Sequence, residues 1–132
     1  MPETGPKREE QLHDAVVKKA AETIFKKYKV VMNIAGNKVA SIGEVFPDLL
    51  AYEVFSVKPF LASEIPALIG MVETESVISQ KLLDKWAKLE DLDVDKIVLI
   101  LPVEMRDQAD VLLRDLGPKF ELHFFDNELH IS

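Results

Sequence analysis

A chain of 132 residues and 14.9 kDa has the size of one ordinary domain, and 48% apolar with 30% charged residues can bury a core, so global disorder is excluded. The absence of cysteine excludes disulfides, thiolate nucleophiles, Cys-held zinc and iron–sulfur clusters, and no apolar run approaches the roughly 18 residues of a membrane-spanning helix. A net charge of −7 argues against a protein that simply coats nucleic acid, and with no charged-then-apolar leader at the start of the chain a cytoplasmic domain is expected.

The charge is uneven. Residues 1–40 hold eight Lys and Arg against five acids, a net +3, while residues 41–132 hold eight against eighteen, a net −10. Residues 1–7, with two prolines and a glycine, read as a loose tail. A first helix is expected over about 8–28, with an apolar stripe of Leu12, Val16, Ala20 and Ile24. Lys18, Lys19, Lys26 and Lys27 lie off that stripe. They read either as a solvated face or as a basic face toward nucleic acid, with Lys18 and Lys19 foremost.

Residues 29–35 (KVVMNIA) form an expected first strand, broken at Gly36-Asn37. Residues 45–57 alternate with both faces mostly apolar, which suits a central second strand. Residues 67–74 (ALIGMVET) form a third. Ser76 or Ser79 is placed to cap a second helix that runs to about Leu89 and buries Leu82, Leu83, Trp86 and Leu89. Residues 96–101 (KIVLIL) form a short, continuously apolar strand of the parallel-sheet kind. A third helix is expected over 103–116, with Met105, Ala109, Leu112, Leu113 and Leu116 inward and Gly117-Pro118 as its stop. Phe120, Leu122 and Phe124 alternate with Glu121 and His123 in a fifth strand, and Leu129 and Ile131 are placed to return beside it. Helices before, between and after the strands predict a three-layer α/β/α sandwich around a mixed five-stranded sheet.

Glycine-rich phosphate loops of the GxGxxG and GxxxxGK(S/T) kinds are absent, as is a GxSxG elbow. His13, His123 and His130 are too scattered in sequence for a histidine metal site. The acids at strand ends are more telling: Asp48 in FPDLLAYE, and Glu73 and Glu75 in MVETESVIS. Period-two geometry puts Glu73, Glu75 and Met71 on one side of their strand. If the second and third strands are neighbours, Asp48 and Glu73 can converge. Converging carboxylates offer hard oxygen ligands to Mg²⁺ or Mn²⁺, which can polarise a phosphodiester and activate water. The other reading of the same acids is as strand-end surface charges. Three further residues also have two readings. His13 could orient a phosphate or stand at the surface. Gln80 could touch a scissile phosphate or cap its own helix. Trp86, at helical spacing, reads as core rather than as a stacking platform.

The order helix, strand, Pro-Asp strand, acid-bearing strand, helix, strand resembles the core of the restriction-endonuclease-like, PD-(D/E)xK nuclease superfamily. LHDAVVKKAAETIFKKYKVVMN is similar to its first helix and strand, VFPDLLAYE to its Pro-Asp strand and LIGMVETESVIS to its third strand. The resemblance covers about residues 8–125. It implies a nuclease in which Asp48 is the metal-binding aspartate and Glu73 stands where the family has lysine or glutamate. Met71 then occupies the place of the first acid, a departure from the family pattern. A shifted frame, Glu73-Thr74-Glu75, restores two acids. The helix acid of some members is matched by Asp14, or less well by Glu10 or Glu22, and the missing lysine by Lys81 or Lys85. The implied chemistry is hydrolysis of DNA or RNA phosphodiesters with Mg²⁺ or Mn²⁺ on Asp48, Glu73, Glu75 and Asp14. Lys81 would steady the developing charge, and Lys18, Lys19 and Gln80 would face nucleic acid. A homodimer through the 120–125 strand completes the expectation. The alternative is an inactive domain of the same fold, serving as a binding or assembly module; Met71 and the net charge favour it.

Overall fold

The computed structural model describes residues 5–34, 41–42, 45–53, 66–75 and 79–132. The outer half of the expected second strand (54–57), the Gly36-Asn37 break and the Ser76 cap lie outside the described residues. The elements in chain order are α1 (Gly5–Thr23), β1 (Tyr28–Met32), β2 (Leu49–Glu53), β3 (Leu68–Val72), α2 (Gln80–Leu89), β4 (Lys96–Pro102), a 3₁₀ helix (Val103–Gln108), α3 (Ala109–Leu116) and β5 (Phe120–Phe125).

The fold is α/β, with one mixed five-stranded sheet in the order β1-β2-β3-β4-β5. β1, β2 and β3 pair antiparallel, while β4 runs parallel to β3 and to β5. The second and third strands are therefore neighbours, as the site expectation required. β4, the KIVLIL run, is buried along its length after Lys96 because both of its faces carry apolar cover. Val98 and Ile100 join a cluster with Val16, Val17 and Ala20 of α1. Ile97, Leu99 and Leu101 join a second cluster with Leu82, Trp86 and Leu89 of α2. Alternation along one strand thus feeds two cores, the period-two rule at work.

Helix ends follow local chemistry. α1 stops five residues short of the expected Tyr28. Its last turn is closed by a bond from Phe25 N to Ala20 O (3.1 Å), and the fully buried Phe25 ring pulls the chain toward β1. Leu12, expected in the stripe, is 37% exposed; the buried stripe is Val16, Val17 and Ala20. Ser79 caps α2 by accepting from Leu82 N. Beyond its other end, Lys119 Nζ donates to the C-cap carbonyl Glu90 O and to Leu92 O in the following turn (3.0 and 2.8 Å). The expected third helix is 3₁₀ over its first six residues, a common way for a helix to start, and buries Met105. Gly117 takes a φ of +96° and ends α3, as a left-handed residue after a helix does.

β5 is an edge strand, and its outer side is partly covered. Ile131 bridges Phe125, and Ser132 and Phe124 exchange backbone bonds of 3.0 and 2.9 Å. The returning chain therefore shields the C-terminal half of the edge through which a dimer was expected.

Gly70 in β3 faces a close approach. A Cβ there would lie 3.1 Å from Leu49 Cβ, Leu49 Cδ1 and Phe25 Cζ. Gly70→Ala should cost about 1–3 kcal/mol by overpacking. The check is the urea midpoint, which should fall with an unchanged slope. An unaltered midpoint would show that the α1 side of the sheet gives way freely.

Candidate functional site

β2 begins and β3 ends at the same end of the sheet, because the two are antiparallel neighbours. Asp48 immediately precedes β2 and Glu73 immediately follows β3. The Pro47-Asp48 step is fixed by Asn33, whose amide donates to Pro47 O and whose backbone N–H donates to Asp48 O (3.0 Å). Proline donates no ladder bond, and β2 pairing starts only after it.

The Asp48 carboxylate turns toward α1. Its Oδ2 accepts from Val72 N at 2.8 Å and lies 3.1 Å from His13 Nε2. The other ring nitrogen, Nδ1, lies 3.1 Å from Asp14 Oδ1. A neutral imidazole could donate to only one of these carboxylates, so the geometry asks for the doubly protonated ring. In keeping with that, His13 is pushed up to about 9, chiefly by the hydrogen bond to Asp48 and against the opposing effect of burial. The result is an imidazolium clamp that ties α1 to the start of β2 and, through the shared oxygen, to the end of β3.

Glu73 goes the other way. Its backbone N–H continues the sheet by donating to Ile100 O (3.0 Å). Met71 packs in the α2 cluster and Val72 in the α1 cluster, so alternation sends Glu73 to the α2 side. There Glu73 Oε2 takes Lys85 Nζ at 2.9 Å and the Trp86 indole N–H at 3.3 Å. The Glu73 side chain is 12% exposed and Trp86 is fully buried, so the carboxylate gives the indole the acceptor that a buried tryptophan needs.

The two acids expected to share a metal thus come to one end of the sheet, but each is held on its own side by its own cation. Among the described residues, no group of three or more His, Cys, Asp or Glu is placed to hold a metal ion. Met71, which the resemblance sets in the place of the first acid, is 4% exposed and part of the apolar core.

The remaining expected site residues fall as follows. Asp14 is drawn to His13. Glu75 is exposed and lines an open groove of about 730 Å³ beside α2, in which Glu73, Glu75 and Asp84 face Lys81, Lys85 and Lys88. Lys81 is in that groove, but the lysine that reaches Glu73 is Lys85. Gln80 does not cap its helix, since Ser79 does; its Nε2 donates to Asp84 Oδ1 at 3.0 Å, one turn on. Lys18 is exposed on α1, and Lys19 is partly buried there. The other two histidines sit elsewhere, His123 on Glu121 (2.8 Å) and His130 on Asp126 (3.1 Å). Glu121, held by His123 and then Lys96 against some burial, lies below its ordinary range.

Sequence reasoning weighed His13 for phosphate or for the surface and missed its role as the partner of Asp48. The available signal was an ionisable pair, His13-Asp14, one turn ahead of the buried Val16-Val17 step. No protein-family model, no curated protein and no solved structure matches this chain. Among the described residues, no helix is long and apolar enough to cross a membrane.

Proposed function

We propose that this chain is a restriction-endonuclease-like domain that works as a binding or assembly module and does not cut phosphodiesters. The order α1-β1-β2-β3-α2-β4 supports the fold, being the order that the resemblance requires. So do the two apolar clusters, one built with α1 and one with α2, which suit a three-layer α/β/α sandwich. One observation carries the functional reading. In the first frame the position of the first catalytic acid holds a core methionine, and the two acids that both frames share are already paired with cations, Asp48 with His13 and Glu73 with Lys85. A metal at Asp48 would have to sit beside an imidazolium, on a carboxylate whose Oδ2 is already taken by His13 and the Val72 N–H. A metal at Glu73 would have to sit beside an ammonium, on a carboxylate whose Oε2 is already taken by Lys85 and the Trp86 indole.

A metal-dependent nuclease is the second reading. The gathering of His13, Asp14 and Asp48 at the sheet end nearest Glu73 favours it. In that reading Asp48 and Glu73 would hold Mg²⁺ or Mn²⁺, and Lys85 rather than Lys81 would steady the developing charge.

End-labelled single- and double-stranded DNA and RNA, incubated with the protein in millimolar Mg²⁺ or Mn²⁺, distinguish the two. The module reading expects intact substrate at molar excess of protein, with Asp48→Asn indistinguishable from wild type. Metal-dependent cleavage that Asp48→Asn abolishes would establish the nuclease instead.

A further inference from the structure

We draw no further inference here: the strongest candidate, the open groove between the end of β3 and α2, belongs to the site already described, and its three lysines face three carboxylates, so its charge selects no class of ligand.

Discussion

Trp86→Ala should remove about 3–5 kcal/mol of stability, the usual cost of emptying a fully buried aromatic site. Trp86 is the largest wholly buried side chain, packed in the cluster of α2, β3 and β4. A domain of this kind holds only about 5–15 kcal/mol, so one substitution would remove about a fifth of it or more. The same change deprives Glu73 of the indole N–H, leaving Lys85 as its remaining partner among the described contacts. Trp86→Phe separates the two effects. It keeps most of the volume, loses the hydrogen bond, and should cost about 1 kcal/mol. Urea unfolding of the three proteins is the check. A loss under 1 kcal/mol for Trp86→Ala would mean that α2 is not docked on the sheet through this ring.

The His13 clamp makes a second large effect, and its sign is set. The group is neutralised in the unfolded chain above about 6.5 and in the folded protein only above about 9. A raised folded value means that the stabilisation is full below pH 6.5 and is lost as pH rises through 9. The size is on the order of 2 kcal/mol, after allowing for the solvent that reaches a side chain 26% exposed. Wild type and His13→Gln should therefore differ by that amount at pH 6 and converge near pH 10. Guanidinium denaturation at both values reads the difference. Parallel pH profiles for the two proteins would show that folding leaves the protonation of His13 unchanged, and would remove the clamp.

Much of the architecture was legible because it depends on short-range patterns. KIVLIL reads as a doubly buried strand since every position is apolar, and β4 is one. Ser79, Gly117 and Pro118 punctuate the helices as their backbone chemistry requires. The difficulties came where tertiary packing overrode a local pattern. Leu12 fits a helical stripe by spacing, yet it stays 37% exposed and the chain buries Val17 beside the expected Val16 and Ala20. Residues 45–48 continue the alternation of β2, but Pro47 and the capture of Asp48 by Val72 N hold them out of the strand.

The site was legible in its members and not in its pairings. Spacing placed Asp48 and Glu73 at strand ends, and antiparallel neighbours bring those ends together. Which carboxylate meets which cation depends on contacts across 35 residues for His13 and Asp48, and across 12 for Glu73 and Lys85. Lys81 and Lys85 stand one helical turn apart and look equivalent in sequence. The end of β3 selects between them, because Trp86 is anchored beneath Glu73 and carries Lys85 with it.

Cations of the chain itself already pair with the carboxylates a metal would need. Thermal melting in millimolar Mn²⁺ against EDTA tests this most directly. A metal that bound only the folded state at a hundredfold excess over its dissociation constant would add roughly 2.7 kcal/mol, a rise on the order of 8 °C for a domain of this size. The ion-paired site predicts the same melting temperature with and without Mn²⁺, for wild type and for Asp48→Asn alike. A rise in wild type that Asp48→Asn removes would show that the ion pairs give way, and would return Asp48 to the role of a metal ligand.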